Sequence, residues 1–271
     1  MTEGIDWTAL ALRALRIAVV AYVVLALLFW VAADRLMFQP QAAGYRHSPE
    51  LVRIPVEGDT LAAFWLPNPG ARHAVLFSHG NAEDIGDNLG FLEEMRRAGF
   101  SVLAYDYRGY GLSTGRPSER RAYRDAEAAF AHLTGPLGVP AERVIVHGRS
   151  LGGGVSTALA ARWPVAGLVL ESTFTSIYAL VPGVRAFPPD RFRSHARMKG
   201  VRAPVLVIHG TRDEVVPFAH GERLLAAAPG QKRGFWVEGA GHNDLLDVAG
   251  DRYWDALRGF AEMIEQRETD D

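Results

Sequence analysis

Val144-Ile145-Val146-His147-Gly148-Arg149-Ser150-Leu151-Gly152-Gly153-Gly154 is the stretch that decides the fold. An apolar, β-branched run meets Gly-x-Ser-x-Gly, and a helical pattern of small residues follows. In a strand–turn–helix context this reads as a nucleophile elbow. The turn is tight enough that the flanking positions tolerate almost no side chain, which Gly148 and Gly152 supply. Ser150 is then held in a strained conformation with its hydroxyl at the carboxyl edge of a sheet. The blander reading is a glycine-rich strand–helix turn that happens to contain a serine. What separates the two is whether the rest of the chain supplies a base, an acid and an oxyanion hole.

Outward from the elbow, short apolar runs alternate with helical patterns. Leu51 to Val56 and Leu61 to Leu66 read as two strands around the Glu57-Gly58-Asp59 turn. Ala74 to Ser78 is a fully apolar strand ending at His79-Gly80-Asn81-Ala82. A helix from Ile85 to Ala98 puts Leu89, Leu92 and Met95 on one face. Strand Phe100 to Tyr105 leads into a helix from Glu119 to Leu133 that Ser118 caps. After the elbow come strand Gly167 to Glu171, strand Val205 to His209, helix Ala219 to Ala228, strand Gly234 to Val237 and helix Leu245 to Glu265. The alternation implies one mostly parallel sheet covered on both faces. The stretch 175–200, rich in Pro, Arg and aromatic residues and without a clean period, reads as a small cap over the carboxyl edge. Its apolar members are Phe174, Ile177, Tyr178, Leu180, Val181, Phe187 and Phe192. Gln39 to Pro49 reads as a linker wrapping onto the domain.

Composition limits the rest. The chain has 271 residues, 48% of them hydrophobic, and a net charge of -2. That suits one large α/β domain and gives no argument for nucleic acid. With no cysteine, disulfides, thiolate catalysis and cysteine-ligated zinc are excluded. Lys199 and Lys232 are the lysines among many arginines, which reads as a GC-rich, bacterial genome. From Ile17 to Ala33 no residue is charged, Arg13 and Arg16 precede the run, and Asp34-Arg35 close it. The run is just long enough for a bilayer core, which needs about 17–25 apolar residues. We expect residues 1–35 to be a tail and transmembrane anchor and 36–271 the soluble domain, the protein being single-pass in a bacterial inner membrane with the domain outside the cytoplasm. A signal peptide cleaved after Val31-Ala32-Ala33 and a buried core helix are the rival readings.

Serine hydrolysis needs a base to take the hydroxyl proton and a carboxylate to hold that base. Asp213, just past the strand Val205–His209, is the expected acid, with Glu171 in reserve. His242, in Gly239-Ala240-Gly241-His242-Asn243-Asp244, is the expected base. The oxyanion donors are expected to be the backbone N–H groups of Leu151, at the helix start, and of Asn81. His79, His147 and His209 read as structural. Histidines are too scattered for a metal site and no phosphate-loop pattern exists, so neither cofactor nor metal is expected.

Ser78-His79-Gly80-Asn81-Ala82, Asp106 to Ser113, Gly148 to Gly153, Glu171-Ser172-Thr173-Phe174, His209 to Asp213 and Gly241 to Asp244 together resemble the α/β-hydrolases. The likeness is to the membrane-anchored serine hydrolase branch that includes the α/β-hydrolase-domain depalmitoylase-like proteins. It implies a mostly parallel sheet of about eight strands, the order Ser, Asp, His for the triad, and a structural role for Asp106. It also implies a serine esterase or thioesterase acting on a small-molecule or lipid acyl ester, with a peptidase or a non-catalytic binder of the same fold as alternatives. The chain differs from the depalmitoylase type in lacking an amino-terminal cysteine cluster.

Overall fold

The computed structural model describes residues 6–48, 51–180 and 190–270; the expected cap residues Val181 and Phe187 lie outside them. Chain order runs α1 (Trp7–Met37), β1 (Leu51–Val56), β2 (Asp59–Leu66), β3 (Ala74–Ser78), α2 (Leu89–Arg97), β4 (Ser101–Tyr105) and α3 (Glu119–Thr134). After these come β5 (Val144–Arg149), α4 (Leu151–Ala160), β6 (Gly167–Glu171), α5 (Ile177–Leu180), α6 (Ser194–Met198) and β7 (Val205–Gly210). The chain closes with α7 (Ala219–Ala227), β8 (Lys232–Val237), α8 (Leu245–Ala249) and α9 (Asp251–Asp270).

The eight strands form one sheet in the order β1-β2-β4-β3-β5-β6-β7-β8. The β1–β2 hairpin is antiparallel, as is β2 on β4, and every pair from β4 to β8 is parallel. Parallel strands buried on both faces need apolar side chains on both, which is why these runs are apolar throughout. The period of two sends Val144 and Val146 of β5 to one side and Ile145 to the other. Ala126, Phe130, Val155, Leu159 and Leu224 of α3, α4 and α7 pack on the first face. Leu92, Met95, Tyr253 and Phe260 of α2 and α9 cover the second.

The hairpin turns on Glu57 and Gly58, both with positive φ, as a two-residue turn of matching twist requires. Two helices differ from expectation. α2 begins at Leu89 because the Asp84 carboxylate accepts from the Gly86 and Asp87 amides, closing a local turn in place of helix. Leu89 is consequently exposed while Leu92 and Met95 are buried. The expected final helix is two helices, parted at Gly250 with φ 56°. At the other end, α1 is longer than the charge-free run. It is apolar enough to span a membrane over Trp7–Leu28, and its side chains from Leu10 to Leu28 are exposed except for Ala26. That exposure contradicts a buried core helix.

The crossing of the chain from β4 back to β5 makes β3/β5 the point where strand order reverses. Crevices at such points, outside the carboxyl ends of the strands, are where open α/β sheets bind ligands. The turn after β3 and the elbow after β5 flank this crevice.

Candidate active site

Ser150 joins β5 to α4 with φ 50° and ψ -115°, a backbone region in which a side chain is strained. The neighbours explain why it stays there. A Cβ on Gly148 would strike the Gly152 backbone, and one on Gly152 would strike the Ser78 carbonyl. Only glycine lets strand, helix and the β3 end approach this closely. The Ser150 amide donates to the Glu171 carbonyl at 2.8 Å, and the Thr173 hydroxyl donates to the Ser150 carbonyl at 2.6 Å. The elbow is thus braced from β6.

Two further loops converge on it. His242 Nε2 lies 3.2 Å from Ser150 Oγ, and His242 Nδ1 lies 2.8 Å from Asp213 Oδ2. The other Asp213 oxygen accepts from the amides of Val215 at 3.0 Å and Val216 at 2.7 Å. His209 Nε2, 2.8 Å from the Val216 carbonyl, sits 3.3 Å from Asp213. Burial pushes the Asp213 pKa up, but hydrogen bonds from His209, His242 and the Val216 amide outweigh it and hold the carboxyl well below its ordinary range. Asp213 is therefore an anion at neutral pH, facing the imidazole. The loops meet because Gly210 has no side chain: a Cβ there would strike the carbonyls of Ala240 and Gly241. Backbone bonds from Arg212 to Ala240 at 2.9 Å and from Thr211 to Val237 at 3.1 Å tie the acid loop to the histidine loop.

Leu151 is the first residue of α4, where an amide has no acceptor within its helix. The Asn81 side chain is committed elsewhere: its amide donates to the Met37 carbonyl at 2.6 Å and accepts from the Gln39 amide at 3.2 Å and the Tyr110 hydroxyl at 2.8 Å. His79 is buried, 3.3 Å from Asp106, whose other contacts are the Ile85 amide and the Tyr45 hydroxyl. Those bonds give Asp106 a structural part and pin the 39–48 strap to the domain, together with Gly44 donating to Asp84 at 2.6 Å.

Sequence reasoning had no account of Arg149. Its Nε is 2.8 Å from Glu171, its Nη1 3.0 Å from Asn88, and its guanidinium lies over the Phe91 ring at 4.3 Å. It is a clamp behind Ser150, between β5, β6 and α2. Its partners sit 22 and 61 residues away, so no local signal could have found them. Among the described residues no group of three or more His, Cys, Asp or Glu could hold a metal. A cleft of about 790 Å³ lies at the opposite, amino-terminal ends of β6 and β7 beside Trp163, Arg202 and Pro204, and contains none of the site residues.

Against known proteins, residues 69–189 match the family described as "Serine aminopeptidase, S33". The chain is 43% identical over 210 residues to α/β hydrolase domain-containing protein aho-3 of Caenorhabditis elegans, covering 73% of this chain and 60% of that protein. It is 41% identical over 201 residues to human α/β hydrolase domain-containing protein 17C, covering 71% and 59%. The chain is an α/β-hydrolase. Among solved structures this α/β-hydrolase superposes on an esterase of Pyrococcus furiosus with a TM-score of 0.70 at 18% identity, over 84% of this chain and 98% of the other. An α/β hydrolase of Vibrio vulnificus gives 0.63 at 25% identity, over 76% and 80%. Its sequence relatives are α/β hydrolase domain-containing proteins, and the solved structures share its fold. It spans about 60% of the length of the curated relatives it matches.

Proposed function

We propose that the chain is a membrane-anchored serine hydrolase that cleaves carboxylic ester or thioester bonds of acyl or lipid-like substrates. Ser150, His242 and Asp213 are the catalytic residues, and the backbone amides of Leu151 and Asn81 form the oxyanion hole. The observation that carries the reading is the unbroken relay from Ser150 Oγ through His242 to a pinned Asp213 carboxylate.

His242 Nε2 takes the hydroxyl proton as Ser150 Oγ attacks the acyl carbon. Asp213 holds the imidazole with Nε2 toward the serine and stabilises the imidazolium. The two amides receive the oxyanion. The tetrahedral adduct collapses to an acyl-enzyme, and the protonated His242 returns its proton to the departing alcohol or thiol. A water deprotonated by His242 then adds to the acyl carbon and releases the acid.

The family description raises a peptidase as the second reading. Gripping a free amine calls for a carboxylate near the site, and the nearby ones are already engaged. Glu83 accepts from the Gly80 amide at 2.5 Å, Asp87 from the Asp84 amide at 3.0 Å, and Asp84 from three amides. This favours the ester reading. Turnover of a medium-chain p-nitrophenyl ester, with S150A as the control, tests it. Hydrolysis of an aminoacyl p-nitroanilide with no ester turnover would reverse the assignment. We further propose α1 as the anchor and 175–200 as a cap, with the amino terminus cytoplasmic and the hydrolase domain on the other side of a bacterial inner membrane. Protease added to sealed vesicles of known sidedness reads that orientation.

A further inference from the structure

Two histidines approach the Asp213 carboxylate, and the proposed mechanism uses one of them. The other, His209, is buried near the end of β7. Its Nε2 is 2.8 Å from the Val216 carbonyl and 3.3 Å from Asp213 Oδ2. A carbonyl oxygen only accepts, so Nε2 carries a proton, and the carboxylate lies within reach of it. Oδ2 is also the oxygen that His242 Nδ1 meets at 2.8 Å. The Val215 and Val216 amides occupy Oδ1. They make that oxygen a pivot, about which Oδ2 can swing unless something holds it on the far side from His242.

The His209 ring is itself fixed. Its Nδ1 is buried with no hydrogen-bond partner, so the Nε2 edge carries the polar contacts of the side chain. A Cβ on Gly221 of α7 would stand 2.8 Å from Nδ1, and the Phe218 ring lies edge-on with its centroid 6.0 Å away. Glycine lets α7 close on the imidazole and leaves it little room to turn. The neighbouring charges do not replace it. Arg212, Glu214 and Asp244 are exposed, where solvent and salt screen them. His220 of α7 has its pKa held down by burial first, then by Arg223 and His209, and its Nδ1 is taken by Thr175. Among the described residues, His209 and His242 are the side chains within hydrogen-bond reach of Asp213.

We propose that His209 is a positioning residue: its Nε2–H ties the 213–216 turn through the Val216 carbonyl and holds Asp213 Oδ2 where that oxygen orients His242 toward Ser150. This rests on the reading of Ser150, His242 and Asp213 as the catalytic residues. His209 acts through Asp213 and moves no proton in the reaction. Without its N–H the carboxylate rocks on Oδ1, and the His242 ring follows it away from Ser150 Oγ. The loss then falls on the chemical step rather than on substrate binding.

The test compares three variants of the full-length protein in detergent micelles. H209L removes the donor at similar bulk, H209N carries an amide too short to reach the Nε2 position, and H209Q carries one that can. Two variants lack the donor, so that one failing to fold leaves the other. With a soluble short-chain ester, H209L and H209N are expected to lose about 10–100-fold in kcat per folded molecule with KM unchanged, and H209Q to recover most of the loss. A parental kcat in the variants without the donor, or an equal loss in all three, overturns the proposal, because the ring would then act by bulk alone. The second readout is the low-field proton resonance of His242 Nδ1–H, identified by its absence in H242Q. It is expected to be sharp in the parent and H209Q and broadened by exchange in H209L and H209N. A resonance indifferent to His209 overturns the proposal and leaves the hydrolase reading standing. This readout needs no substrate: a parent that turned over no ester while the resonance still followed His209 would sink the hydrolase reading and uphold the placement of Asp213 by His209.

Discussion

Glu171 and Asp213 stand at the carboxyl ends of adjacent parallel strands, each paired with a histidine and each with its carboxyl held well below the ordinary range. They are nonetheless different devices. Glu171 is enclosed, with Arg149 at 2.8 Å, His147 at 2.8 Å and the Tyr253 hydroxyl at 2.6 Å. Its charge is neutralised by the guanidinium, and its histidine is fully buried with Nδ1 left without a hydrogen-bond partner. Asp213 has no arginine among its described contacts. Its histidine extends the other nitrogen to Ser150. Burial and a depressed pKa thus do not distinguish a catalytic carboxylate from a structural one. What does is an uncompensated charge and a histidine whose far side meets a reacting atom.

Substitutions can break that comparison. D213N should lower kcat per folded molecule by about 10³–10⁴-fold and, because the carboxylate also contributes stability, lower Tm as well, measured by ester turnover and thermal unfolding. G210A should come next. Its methyl displaces the Ala240–Gly241 backbone and with it His242, and a misplacement near 1 Å is worth about 100-fold in kcat. E171A should act on the fold, because it strands Arg149 and removes a partner of Tyr253. We expect a loss of about 3 kcal/mol in denaturant unfolding, with residual activity per folded molecule within about tenfold of the parent.

The pH dependence is the smallest effect. Both carboxyls have folded pKa values below their unfolded ones, so each contributes stability that is complete above about pH 4 and drains away as pH falls through the folded values. Acid unfolding of the parent should therefore steepen below about pH 4. E171Q, which cannot titrate there, should flatten that limb; an unchanged limb would mean that Glu171 is not held as an anion.

The same pair shows what the sequence could disclose. Ser150, Asp213 and His242 each follow an apolar strand at a glycine-marked turn, so strand runs and short motifs were enough to propose their meeting. The parallel sheet was legible for the same reason: β3, β5, β6 and β7 are continuous apolar runs. Arg149 and Glu171 were not legible as partners, because their contact depends on β5 lying in register with β6, which pairs residue 149 with residue 171. The Asn81 side chain is likewise not legible. Its three bonds reach Met37, Gln39 and Tyr110, a convergence of distant segments that no local pattern encodes. The start of α2 and the break at Gly250 were missed because side-chain turns and a single positive φ overrode helical periodicity.

The most direct measurement is the rate of fluorophosphonate labelling, followed by intact mass and peptide mapping, of the folded parent, E171Q and D213N. The account predicts one adduct, on Ser150, at similar rates in the parent and E171Q, and about 10³-fold slower in D213N. An adduct on another residue, or labelling lost in E171Q and retained in D213N, would contradict it.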